Sequence, residues 1–164
     1  MIPLSLCVLT VSDTRSFATD TSGQALIDLA EAAGHRLYER VLVPDCVYQI
    51  RAVLSRWIAD AQAQVVLITG GTGFAGRDST PEAVTVLLDK QIPGFGELFR
   101  QHSAQEIGTS TLQSRALAGL CNGTLVFCLP GSTGACRTAW QVIAPQLDSR
   151  TKPCNFVAVL KPKC

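Results

Sequence analysis

Apolar positions along this chain fall into short runs and helical stripes in alternation, separated by polar or glycine-rich stops. Leu4 to Val11 is a short apolar run halted by Ser12-Asp13-Thr14-Arg15, which predicts a buried strand and a polar loop. Thr21 with Gln24 three residues on reads as a capping box, and Leu26, Leu29, Ala30 and Ala33 form an apolar stripe ending at Gly34, the pattern of a helix. Arg36 to Val43 alternates as a second strand. Beyond Pro44-Asp45, the residues Ile50, Val53, Leu54, Trp57, Ile58 and Ala61 recur at helical spacing. Val65 to Thr69 is a third strand, apolar up to its last residue, and Thr80-Pro81-Glu82 supplies an N-cap, an N1 proline and a first-turn acid for another helix.

Pro93-Gly94-Phe95-Gly96 punctuates that helix. The pattern predicts further helix over Glu97 to Glu106 and Leu112 to Leu120, a turn at Asn122-Gly123, and a fourth strand from Thr124 to Leu129. Pro130-Gly131-Ser132 is a tight loop, Ala135 to Leu147 a helix, and Phe156 to Leu160 an edge strand. Strands alternating with helices predict a three-layer α/β/α domain with a largely parallel, mixed sheet, spanning 1–164 as a single domain. Ligands in such a sheet bind beyond the carboxyl ends of its strands. Four loops fall there: Ser12-Asp13, Thr69 to Asp78, Pro130 to Thr133 and, if strand two is parallel, Pro44-Asp45.

Composition narrows the partners. Of 164 residues 47% are hydrophobic, and 14 basic residues against 13 acidic leave a charge of +1, with no basic run to grip a nucleic-acid backbone or a membrane surface. The low charge favours burial of some surface in a homo-oligomer. Seven cysteines, with no C-x-x-C pair, read as reduced core thiols, Cys7, Cys121, Cys128 and Cys136 in apolar surroundings. His35 and His102 are too few for a zinc site or a histidine-based triad. The first residues carry neither a basic leader nor a membrane span, so a cytoplasmic protein is expected.

The run from Thr69 through Gly70, Gly71, Thr72, Gly73 and Gly76 to Asp78 packs glycine between a strand and a helix, as a phosphate site requires, although a ligand-free turn has the same composition. It fits neither familiar glycine motif. Gly71-x-Gly73-x-x-Gly76 has the dinucleotide spacing, but Pro81 starts the helix too late. Arg77-Asp78 replaces the Lys-Ser/Thr of a P-loop. A carboxylate about 4 Å from a phosphate costs on the order of 4 kcal/mol at an effective dielectric near 20, so Asp45 and Asp78 call for a bridging cation. Mg²⁺, held by one or two carboxylates plus substrate phosphates, meets that demand. Asp45 is equally readable as the N-cap of the helix behind it. Asp78 is also readable as a loop-stabilising acid and Thr80 as a cap, while Ser114-Arg115 and the Pro130-Gly131-Ser132 loop divide between anion binding and turn chemistry.

Four motifs in order, Thr69-Gly-Gly-Thr-Gly73, Arg77-Asp78 with Thr80-Pro81-Glu82-Ala83, Ser114-Arg115-Ala116 and Leu129-Pro130-Gly131-Ser132, resemble the molybdopterin-binding family that makes molybdenum cofactor. Ile107 to Arg115, Ala139-Trp140 and Pro153-Cys154-Asn155-Phe156 look like one bacterial branch of it. The resemblance spans nearly the whole chain. It implies a molybdopterin adenylyltransferase that uses ATP, molybdopterin and Mg²⁺, assembled as a trimer or a dimer of trimers. By position, Asp45 and Asp78 match the family's two acids of metal-assisted catalysis, which some members of this branch lack.

On that resemblance Asp45 and Asp78 are the catalytic and metal-binding residues, Gly70, Gly71, Thr72 and Gly73 make backbone phosphate contacts, and Thr69 belongs with them to the substrate- and nucleotide-binding set. Thr80 and Glu82 support the loop or touch nucleotide, while Ser12, Asp13, Ser114, Arg115, Pro130, Gly131 and Ser132 serve substrate, the pterin side above all. The nucleophile is an ionised phosphate, so no general base is needed. Three other readings compete: a non-catalytic molybdopterin carrier, against which the retained acids argue; an assembly scaffold; and a nicotinamide-dependent oxidoreductase, disfavoured by the glycine-loop context.

Overall fold

The computed structural model describes residues 1–161. Six strands form one mixed sheet: β1 (Ser5–Val11), β2 (Arg36–Val43), β3 (Val65–Thr69), β4 (Lys90–Gln91), β5 (Leu117–Cys121) and β6 (Thr124–Leu129), in the order β2-β1-β3-β6-β5-β4. The first four in that order run parallel; β5 and β4 are antiparallel additions at one edge. Because side chains alternate across a strand, each central strand feeds two cores. Leu6, Val8, Leu67, Leu125 and Phe127 pack under α1 (Thr21–Ala32), α4 (Pro93–Ile107) and α5 (Thr133–Ile143). Cys7, Leu9, Val66, Ile68 and Cys128 pack under α2 (Val47–Ala59) and α3 (Thr80–Thr85). The three-layer α/β expectation is met.

Several elements depart from expectation for definable reasons. Leu117–Cys121 is a strand rather than a helix: Asn122 and Gly123 both take positive φ, the backbone of a two-residue hairpin turn, and so pair it with β6. Residues Gly108–Gln113 before it form a 3₁₀ turn. Phe156 to Leu160 holds a 3₁₀ turn at Val157–Val159 instead of an edge strand, and β4 takes that edge. The helix opened by Pro81 stops after six residues. Helix α1 is capped not by Thr21 but by Asp20, whose carboxylate accepts the Gly23 N–H at 2.9 Å. Ser79 rather than Thr80 holds the N-cap position of α3. Cys7, Cys121, Cys128 and Cys136 are buried thiols, as expected; burial pushes Cys7 up to about 12 and Cys136 up to about 11. Among the described residues no helix is long and apolar enough to cross a membrane.

Candidate functional site

Strand β2 is parallel to β1, so all four loops named from the sequence emerge at one edge of the sheet. A cleft of about 550 Å³ opens there, at the carboxyl ends of β1, β3 and β6. Gly70 lets the strand ends converge: at φ +105 its N–H donates to Leu129 O at 2.9 Å, and a Cβ on it would run into Val11 O. Only glycine accepts both demands. Thr69 donates from its buried hydroxyl to Pro130 O at 2.9 Å, tying β3 to the β6 loop. The Ser132 hydroxyl accepts the Ala135 N–H at 3.1 Å and caps α5 at the cleft wall.

Ser12, Thr69, Gly70, Gly71, Thr72, Gly73, Asp78, Ser114, Pro130, Gly131 and Ser132 all line this cleft. Asp13, Thr80, Glu82 and Arg115 do not line it but brace the glycine loop, and Asp45, also outside the lining, borders that loop at Gly71. Arg115 donates to Gly73 O at 2.9 Å and to Asp78 O at 2.8 Å, pairs with Glu82, and lies 5.2 Å from the Phe74 ring centre. That pairing holds the Glu82 carboxyl below its ordinary value. Thr80 donates to Gly70 O at 2.8 Å. With its hydroxyl and N–H both turned back on the loop, and only six residues behind it, α3 offers little to an anion.

The two acids border the glycine loop at neighbouring positions. Asp45 Oδ2 sits 2.9 Å from where a Cβ on Gly71 would lie, and Asp78 Oδ2 sits 2.7 Å from the same point on Gly73. Asp45 does not cap α2, whose N-cap is Cys46; its Oδ1 instead accepts the Ser79 N–H at 3.1 Å and the Ser79 hydroxyl. Asp78 Oδ2 accepts the Ala75 N–H at 2.8 Å. Neither acid forms an ion pair among the described residues. Arg77 spends its charge on Asp13 instead, at 2.7 and 2.9 Å, and holds that carboxyl below its ordinary value. A further donation from Arg77 to Asp45 O at 2.9 Å locks the β1 and β2 loops together.

Two unpaired carboxylates beside a loop fit for phosphate are the donor set expected of Mg²⁺. Asp45 Oδ2 and Asp78 Oδ1 keep lone pairs that no described protein donor uses. Among the described residues no group of three or more His, Cys, Asp or Glu is arranged to hold a metal ion. A cation here would complete its shell with water and substrate oxygens.

Sequence reasoning passed over part of the lining. Arg15, Ser22, Ser103, Ser110 and Gln113 also face the cleft. Arg15 carried a signal in its position, three residues past Ser12, the first residue after β1. Ser103 comes from the middle of α4, where nothing local marks it.

Comparison with known proteins places this geometry among relatives. Residues 7–149 match the family model described as a probable molybdopterin binding domain. Molybdenum cofactor biosynthesis protein B of Escherichia coli K12 is 56% identical over 161 residues, covering 98% of this chain and 95% of the relative. A crystal structure of a molybdenum cofactor biosynthesis protein B superposes with TM-score 0.86 at 43% identity, over 89% of this chain and 92% of that one. The tungsten cofactor synthesizing protein MoaB of Pyrococcus furiosus does so with TM-score 0.80 at 34% identity, over 88% and 92%.

Proposed function

This chain belongs to the molybdopterin-binding family, and on that footing we propose that it is a Mg²⁺-dependent molybdopterin adenylyltransferase of molybdenum cofactor biosynthesis. A phosphate oxygen of molybdopterin attacks the α-phosphorus of ATP; that P–O bond forms, the bond from the α-phosphorus to the bridging oxygen breaks, and pyrophosphate leaves. The acceptor phosphate is already ionised, so no proton need be removed, and positioning with charge neutralisation carries the rate. The observation that supports this most is the pair Asp45 and Asp78, unpaired and pressed against Gly71 and Gly73.

In this reading Asp45 and Asp78 hold Mg²⁺, which when bound supplies countercharge to the polyphosphate. The backbone N–H groups of Gly71 to Gly73 cradle phosphate, Gly70 serving by geometry alone because its own N–H goes to Leu129 O, and Ser12, Ser114 and Ser132 orient the pterin side of the cleft. Arg115, Thr80 and Glu82 keep the glycine loop in shape, and Arg77 with Asp13 fixes the Asp45 loop. Residues 1–164 act as one domain, in the cytoplasm. A trimer or dimer of trimers belongs to the same proposal and would bury some of the exposed Tyr48, Val86 and Leu112.

Purified protein mixed with molybdopterin and ATP, with and without Mg²⁺, tests it. Adenylylated pterin and pyrophosphate, read by mass spectrometry and phosphate assay, are expected only with Mg²⁺. Pterin binding without product would make the protein a carrier instead, and light scattering reads the number of subunits from the same preparation.

A further inference from the structure

The cleft holds one cation for which the mechanism above has no task. Among the described residues lining it, Arg15 is the sole basic side chain and Asp78 the sole acidic one. The two stand on different strand-end loops, Arg15 after β1 and Asp78 after β3. Ser12 Oγ accepts the backbone N–H groups of Thr14 at 3.2 Å and Arg15 at 3.0 Å, which fixes the turn that carries the arginine.

The fold does not consume this charge. Arg15 Nη1 donates to Ser22 Oγ at 2.8 Å and lies 3.8 Å from Asp20 Oδ1, with 31% of its side chain still exposed. Asp20 is already satisfied. Fully buried, it accepts the Thr10 hydroxyl at 2.6 Å, the Gly23 N–H at 2.9 Å and Arg40 Nη2 at 3.0 Å, so its countercharge comes from Arg40. Ser22 completes a relay by donating to Asp20 Oδ1 at 3.3 Å. The Arg15 guanidinium is thus steadied through one amino group, and no described protein acceptor takes its remaining N–H donors.

We infer that Arg15 binds the phosphate monoester of the pterin substrate, the group that becomes the nucleophile. The inference rests on the adenylyltransferase reading of the cleft. The glycine loop and its two acids serve the nucleotide phosphates, while the acceptor arrives as a second anion in a cleft whose own acid repels it. It needs a countercharge that is not shared with ATP. A guanidinium offers two parallel donors that match two phosphate oxygens, and one pinned at its far side by Ser22 loses little freedom in binding.

Calorimetry on wild type, Arg15→Ala and Arg15→Lys with molybdopterin, with its dephosphorylated form and, separately, with ATP tests the assignment. Wild type should prefer the phosphorylated pterin by about 10- to 100-fold, the range for one charge-assisted contact. Arg15→Ala should erase that preference while keeping the melting temperature, the affinity for dephosphorylated pterin and the affinity for ATP. Arg15→Lys should restore part of it. An alanine variant that still discriminates, or that weakens both pterins alike, overturns the assignment and leaves the adenylyltransferase reading standing. Wild type that binds neither pterin overturns both, and shows it before any variant is compared.

Discussion

Removal of the Asp20 carboxylate should be among the most damaging single changes near the cleft, although Asp20 touches no substrate in the mechanism proposed. Four groups lose their acceptor in Asp20→Ala, and three of them carry the cost, the 3.3 Å donation from Ser22 being the longest. The α1 cap to the Gly23 N–H at 2.9 Å is worth about 1 kcal/mol. The buried Thr10 hydroxyl, donating at 2.6 Å, is left unsatisfied at about 1–3 kcal/mol. Arg40, 18% exposed, regains some water and adds roughly 1 kcal/mol. The sum, about 3–5 kcal/mol, agrees with the general cost of removing one member of a buried ion pair. At about 2–4 °C per kcal/mol for a chain of this size, the melting temperature should fall by roughly 6–20 °C.

The same residue gives a pH signature. Burial raises the Asp20 carboxyl, but the Thr10 hydroxyl, the Gly23 N–H and Arg40 outweigh it and hold it below its ordinary value. A carboxylate depressed in the folded state stabilises fully above its unfolded value near pH 4, and that stability drains away as the pH falls through the folded value. Urea unfolding of wild type and Asp20→Asn should therefore differ by a constant amount above about pH 5 and converge below about pH 4. A loss under about 1 kcal/mol in Asp20→Ala, or a wild-type advantage that grows on acidification, would refute the account of a charged Asp20.

Other changes separate the site's parts. Gly71→Ala places a Cβ against Thr80 Oγ1 and Asp45 Oδ2 at φ +69, and should cost about 2–3 kcal/mol, seen as a lower melting temperature, together with adenylylation. Asp78→Asn keeps an acceptor for Ala75 N but loses the charge; turnover should drop about 10²- to 10³-fold with molybdopterin binding and assembly intact, and a near-normal rate would remove Asp78 from the chemistry. Alkylation in native buffer, followed peptide by peptide in the mass spectrometer, should label exposed Cys154 first among the described cysteines and reach Cys7, Cys128 and Cys136 only in denaturant.

The parallel half of the sheet was legible because β1, β3 and β6 are buried on both faces and read as short apolar runs, the form such strands take. The antiparallel edge was not. Leu117-Ala118-Gly119-Leu120-Cys121 has no polar alternation, since Ala118 and Cys121 are buried while Leu117 and Leu120 are partly covered, so its residues satisfy a helical stripe as readily as a strand. The decisive sign was outside the segment, in Asn122-Gly123, the pair that takes positive φ twice and thereby obliges the flanking residues to pair. Lys90–Gln91 is two exposed polar residues, and what makes it a strand is its partner in β5, not its own composition.

At the site, the loops could be read from the sequence while the side-chain assignments depended on distance in space. Asp45 followed by a helix satisfies the local rule for an N-cap, and the rule fails because Ser79, 34 residues away, offers both an N–H and a hydroxyl to the same oxygen. Arg115 beside Ser114 suggests an anion contact, yet its guanidinium is engaged by Gly73, Asp78 and Glu82. Arg15 is the converse. Its neighbours in sequence mark it as loop polarity, and only the saturation of Asp20 by Arg40 and Thr10 leaves it a charge to offer. Whether a charged residue serves the fold or a ligand is decided by whether its partners are already taken, and those partners lie on other strands.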